Sequence, residues 1–310
     1  MPHVVITGAS GLLGANLTLA ARLEGWTVTA VCNRHPIQVD GVDVACLDLS
    51  IEGAAETFLL EKRPEVVIHC AAATNIDACE HDPELAYHVN RDMAAAVARG
   101  SSAIDAHLVH ISTDAVFDGA EGGYVETDEP GPLNVYAESK LAGEHAVAKA
   151  CPAAAVVRTN LFGWNAQDKF SLAEWFLHHF KQGRPFNGFT DVWFSPILVN
   201  HLARILLTMG ERRLGGIYHV AGHDCMTKYD FGCRLAETFG LDAGILQPVS
   251  VDDVGLKANR SKKLCLNVER IEAALDEPMP LVREGIDSML ALQQDGYRDR
   301  LKRMLGDKPG

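Results

Sequence analysis

"VVITGASGLLGANL", residues 4–17, decides the fold. An apolar run ends at Thr7, glycines follow at 8, 11 and 14, and a helical pattern begins at once. Glycine permits a tight turn and lets a phosphate approach backbone N–H groups, while the next helix adds the positive end of its dipole. The spacing is G-x-x-G-x-x-G, which differs from the G-x-G-x-x-G of many dehydrogenases. Its place between a strand and a helix predicts a dinucleotide site that includes Gly8, Ser10, Gly11, Leu12 and Gly14.

Outward from this turn, β-rich runs recur as "HVVIT" (3–7), "TVTAVC" (27–32), "VDVAC" (42–46), "EVVIHC" (65–70), "HLVHIS" (107–112) and "AAVVRT" (154–159). Helical stretches at 12–25, 83–100 and 134–150 separate most of them. The alternation predicts an α/β fold with a doubly wound parallel sheet of the Rossmann type, whose ligands bind beyond the carboxyl ends of the strands. After residue 160 the pattern turns to helices with one clear strand, "GIYHVAG" (216–222). Residues 1–165 are therefore expected to form the dinucleotide-binding domain, with 216–222 returning to it, and 166–310 mainly a smaller helix-rich substrate lobe.

The 310 residues are 47% hydrophobic and 22% charged, ordinary for a soluble globular chain. No apolar run approaches the ~20 residues of a membrane span, and "MPHVVITGAS" lacks signal-peptide features, so a cytoplasmic protein is expected. A formal charge of −13 argues against nucleic-acid binding, which needs a cationic surface. The eight cysteines (Cys32, Cys46, Cys70, Cys79, Cys151, Cys225, Cys233 and Cys265) form no C-x-x-C pair and read as buried or incidental thiols. No metal site is expected. Adjacent His178 and His179 point about 100° apart on a helix and make a poor metal pair, while Trp164, Phe170, Trp175 and Phe176 read as packing residues.

NAD sites of this type place an acid after the second strand to hold the ribose 2′-hydroxyl. Here the strand ends "VCNRHP" with no acid, and Arg34 offers a guanidinium suited to a 2′-phosphate. The expected cofactor is NADPH, with NADH possible. Asp48 and Leu49, after the third strand, are placed to meet the adenine end.

Beyond the fifth strand comes "ISTDAVFDG" and then "NVYAESK" (134–140), which sets Tyr136 and Lys140 one helical turn apart. Reducing a ketone needs a proton donor and a second hydrogen bond on the developing alkoxide. A phenol titrates near 10; bringing it to neutrality takes roughly three units, about 4 kcal/mol. A neighbouring ammonium shifts it in that direction.

Together with "CAAATNIDACEHDPELAYHVN", "VVRTNLFG", "GIYHVAG" and a fainter "ANRSKKLCLN", these motifs resemble the extended short-chain dehydrogenase/reductases, and among them the dTDP-4-dehydrorhamnose reductases. The resemblance covers nearly the whole chain. It implies a proton donor in Tyr136, a carbonyl hydrogen bond from Thr113, and in Lys140 a residue that holds the nicotinamide ribose and tunes Tyr136. It also implies Ala71, Ala72 and Ala73 beside the cofactor with Asn90 in support. Asp114, Val116, Asn160, Trp193 and Arg260 would serve the substrate, Arg260 near its phosphates. The implied function is an NADPH-dependent reductase of the 4-keto group of a nucleotide-activated 6-deoxysugar, working as a homodimer. Where the family has R-P-x-N this chain reads "RSKK", and where it has G-x-P-T the chain reads "FSPI", so the sugar itself stays open. "MTKYDFGCRLAETF" also resembles the beta subunit of methionine adenosyltransferase, which implies the alternative of an NADP-binding regulatory subunit without catalysis.

Overall fold

Seven parallel strands form the central sheet: β1 (His3–Thr7), β2 (Thr27–Cys32), β3 (Asp43–Cys46), β4 (Val66–His69), β5 (His107–Ile111), β6 (Ala155–Arg158) and a last strand, Gly216–His219. The computed structural model describes residues 1–254 and 261–306. Spatial order is Gly216–His219, β6, β5, β4, β1, β2, β3, so the chain reverses direction across the sheet between β1 and β4. That reversal is where a doubly wound sheet opens a ligand crevice.

The inner strands are buried over almost their whole length, as "VVIT", "VVIH" and "AVVR" require, because helices cover both faces. One face packs Val4, Ile6, Ile68 and Val109 against α1 (Leu12–Leu23) and the later helix Val199–Glu211. The other packs Val5, Val67, Leu108 and Val156 with α2 (Ala54–Lys62), α5 (Met93–Ala103) and α6 (Val135–Ala150). Strict alternation of faces along each strand explains how one continuous apolar run feeds two cores.

The stretch expected as one helix over 83–100 is helical throughout but carries a π turn inside it. Short helices α3 (Ile76–His81) and α4 (Pro83–Tyr87) lead into a π-helical turn, His88–Asp92, before α5. The strand at 216–219 joins the sheet beside β6, as its apolar pattern indicates. Beyond residue 165 the described residues also hold small sheets invisible to periodicity: Phe186–Phe189 with Leu246–Val249, and Trp193–Phe194 between Met226–Thr227 and Lys263–Leu264.

The reading of every cysteine as a thiol is corrected at two positions. Cys225 and Cys265 form a disulfide with Cα atoms 5.6 Å apart, beside two strands of that three-stranded sheet. Forty residues separate them, and nothing in their spacing marks a pair. Closing a loop of that size constrains the unfolded chain by about 4 kcal/mol. Cys225→Ser is expected to lower unfolding free energy by about 2–4 kcal/mol in a denaturant titration, and reductant should cost the parent protein a similar amount while leaving the variant unchanged.

Candidate active site

A cleft of about 720 Å³ runs along the carboxyl edge of the sheet. Each central strand delivers side chains to it in turn: the glycine turn after β1, Asn33 and Arg34 after β2, Asp48 and Leu49 after β3, Ala71 and Ala72 after β4, Thr113 and Asp114 after β5, Asn160 after β6. Parallel strands make this convergence, because all end on one edge.

At the nucleotide end, Gly8 adopts φ +64°, and a β-carbon there would lie 2.8 Å from the backbone of Ala71. No side chain caps α1 at Gly11, so the amides of its first turn are left for whatever enters the cleft. This is a cradle suited to a diphosphate. Asp48 accepts hydrogen bonds from the Ser50 amide (3.0 Å) and hydroxyl (2.7 Å), and these hold its carboxyl below the usual range, with the Arg34 guanidinium adding to the effect. Ser10 also faces the cleft; its carbonyl accepts 2.9 Å from Gln167 Nε2.

At the other end, Asn134 caps α6 by accepting from the Ala137 amide at 3.0 Å, which fixes the helix start and sets Tyr136 in its first turn. Thr113 hydrogen-bonds Tyr136, and its hydroxyl also donates to Asp114 Oδ1 at 3.1 Å. Lys140, 3% exposed, donates to the Ile111 carbonyl at 2.7 Å. Burial holds its ammonium down at about 8, with Glu144 opposing. Burial also pushes the Tyr136 phenol up to about 12; the Thr113 hydrogen bond opposes, and Asp114 and Cys79 add to the rise. The lowering by Lys140 expected from the sequence does not enter this balance. Asp114, buried, is raised to about 6 despite a 2.8 Å hydrogen bond from Asn160.

Other expected residues stand back from the cleft. Asn90, in the π turn, clamps Ala73 by accepting from its amide at 2.8 Å and donating to its carbonyl at 3.0 Å, and donates to Ser139 at 2.9 Å. Both therefore shape the wall from behind. Val116 is wholly enclosed in the core, and Trp193 stands 39% exposed on its short strand, so neither lines the cleft. Arg260 lies outside the described residues. The cleft further includes Asn33, His35, Ser112, Thr159, Gln167 and Lys169, which sequence reasoning passed over, and Phe170, read from the sequence as a packing residue but 47% exposed at the cleft. A strand-end position could have pointed to Asn33, Ser112 and Thr159; nothing local marks the others.

This sheet, its glycine turn and its Tyr-Lys pair make the molecule an extended short-chain dehydrogenase/reductase. Residues 2–294 match the RmlD substrate binding domain, and the chain belongs to that family. It is 34% identical to dTDP-4-dehydrorhamnose reductase of Mycobacterium tuberculosis over 93% of this chain and 92% of that one. It is 31% identical to methionine adenosyltransferase 2 subunit beta of Danio rerio, over 94% and 92%. The solved dTDP-4-dehydrorhamnose reductase of Bacillus anthracis, in complex with NADP, superposes with TM-score 0.85 at 28% identity, covering 94% of this chain and 99% of the other.

Arg34→Ala is expected to weaken NADPH binding by about tenfold or more, the scale of one lost charge-assisted contact, and to leave NADH nearly untouched. Parallel fluorescence titrations decide it, and equal losses would remove the assignment of Arg34 to a 2′-phosphate.

Proposed function

We propose that this chain is an NADPH-dependent reductase acting on the 4-keto group of a nucleotide-activated 6-deoxysugar. One observation carries the reading: Thr113, Tyr136 and Lys140 face the same cleft as the uncapped glycine turn and Arg34. Family membership supports the broader class of sugar-nucleotide reductases. Gly8 to Gly14, Arg34, Asp48 and Leu49 would hold the dinucleotide, with Ala71 to Ala73 and Asn90 shaping its wall. Asp114 and Asn160 would meet the sugar. Residues 1–165 with the returning strand supply the dinucleotide half, and 166–310 mainly the substrate half. Homodimerisation belongs to the same proposal.

When bound, NADPH supplies the hydride; the protein supplies the proton. A phenol held near 12 stays protonated across the neutral range, which is the form a reduction consumes. A pKa nearer the operating pH would make it a more effective acid, and the charge of Lys140 acts in that direction. Tyr136 donates to the nascent alkoxide, Thr113 steadies the same oxygen, and the Lys140 ammonium stabilises the tyrosinate left behind. Lys140 is charged below about 8 and loses its proton as pH rises through that value. The kcat/KM profile is therefore expected to fall above pH about 8, about tenfold per unit.

Tyr136→Phe should cut kcat by about 10²–10⁴-fold with little change in NADPH affinity. NADPH consumption against a panel of nucleotide 4-keto-6-deoxysugars measures this, and full turnover by the variant would sink the mechanism. The resemblance at 31% identity to a methionine adenosyltransferase subunit favours a second reading, a dinucleotide-binding regulator. NADPH binding without turnover on any member of the panel would favour it.

A further inference from the structure

We infer that Lys169 is a binding residue for the diphosphate of the dinucleotide, carried on a loop that meets the glycine turn from the substrate half. The inference rests on the dinucleotide reading of the cleft and adds a contact that the glycine turn and Arg34 do not supply. The loop, residues 163–171, runs from the short strand Leu161–Phe162 to the helix Leu172–Gln182. Three anchors fix it at the N-terminal end of α1. Asn16 of α1 donates to the Trp164 carbonyl at 3.0 Å. Gln167 donates to the Ser10 carbonyl, inside the glycine turn itself, at 2.9 Å. From outside, Lys302 of the C-terminal helix Tyr297–Arg303 donates to the Gln167 carbonyl at 2.7 Å and pairs with Asp168 at 3.6 Å. Within the loop, Asn165 accepts from the Gln167 amide at 3.1 Å and donates to the Lys169 carbonyl at 2.8 Å. The backbone of Lys169 is thus held two residues from the Ser10 contact, and its side chain lines the cleft.

The distribution of charge gives that side chain its purpose. Besides Lys169, the lysine and arginine side chains that line the cleft are Arg34 and Lys140. Arg34 follows β2, where a 2′-phosphate is expected, and Lys140 is committed to the Ile111 carbonyl. Among the described residues no acceptor meets the Lys169 ammonium. The carboxylates of the cleft, Asp48 and Asp114, follow β3 and β5, each two strands from β1 and so about 10 Å from the glycine turn. A diphosphate on the bare amides of α1 would be held from one side by neutral donors and a helix dipole. Lys169 would meet it from the other side with a full positive charge, the charge-assisted contact that a chain of net charge −13 must supply locally.

Parallel fluorescence titrations of NADPH and NADH, on the full chain and on Lys169→Gln, test this. The diphosphate is common to both cofactors, so both affinities are expected to fall by the same factor, about threefold to tenfold, the scale of one charged contact open to solvent. Lys169→Arg should restore most of the affinity, and added salt should narrow the gap between the parent and the glutamine variant. The side chain is exposed, so circular dichroism is expected to show both variants folded. A loss confined to NADPH would move Lys169 to the 2′-phosphate, and unchanged cofactor affinity with a raised KM for a nucleotide sugar would move it to the substrate. Either outcome overturns the inference, as does a variant indistinguishable from the parent. A parent protein that binds neither cofactor would overturn the dinucleotide reading itself, and the role of Lys169 falls with it.

Discussion

A β-carbon on residue 14 would sit 2.2 Å from the Gly8 carbonyl oxygen and 2.7 Å from the Ala9 Cα, distances that backbone cannot yield. Helix α1 can therefore rest on the end of β1 only because Gly14 has no side chain. From that seat follow the bare amides of its first turn and the nearness of the β4 loop, whose Ala71 backbone would touch any side chain at Gly8. The reversal in strand order beside β1 then opens the crevice over this turn, and the later loops have only to end at the same edge.

At the far end the governing constraint is dielectric. Lys140, Glu144, Arg158 and Asp114 are all enclosed, and enclosure disfavours every charge among them. The protein answers with hydrogen bonds in some places and leaves the penalty standing in others. Glu144 and Arg158 form a buried ion pair that leaves only Arg158 Nη1 of the guanidinium without a partner among the described residues, a kind of pair whose single partners are costly to remove, about 3–5 kcal/mol. Lys140 and Asp114 keep pKa values displaced toward neutrality, so their protonation answers to small changes in surroundings.

Much of this was legible in the residues because it is local. Strand, glycine turn and helix follow one another directly, and Tyr136 and Lys140 are set by helical spacing alone. What was not legible is what depends on three dimensions. The periodicity of 83–100 is helical throughout, yet it gives no sign of the π turn that aims Asn90 at Ala73. Val116 and Trp193 sit in segments that resemble binding segments, and their burial or exposure is decided by neighbours far along the chain. The Cys225–Cys265 bond joins residues with no sequential relation, and Gln167 meets Ser10 across 157 positions. The phenol's high pKa likewise reflects desolvation, which no motif records.

The π turn at His88–Asp92 amounts to an extra residue lodged in a helix. Gly143 accommodates it, since a β-carbon there would meet the Asn90 carbonyl at 2.2 Å. Such a wedge behaves as a vernier between two helical stretches. Excising a single residue would restore regular winding and close the turn that presents Asn90. Asn90 would then lose its aim at Ala73 with no cleft-lining side chain altered. For anyone transplanting this scaffold, chain length between Tyr87 and Met93 is a stricter requirement than the identity of most residues within it.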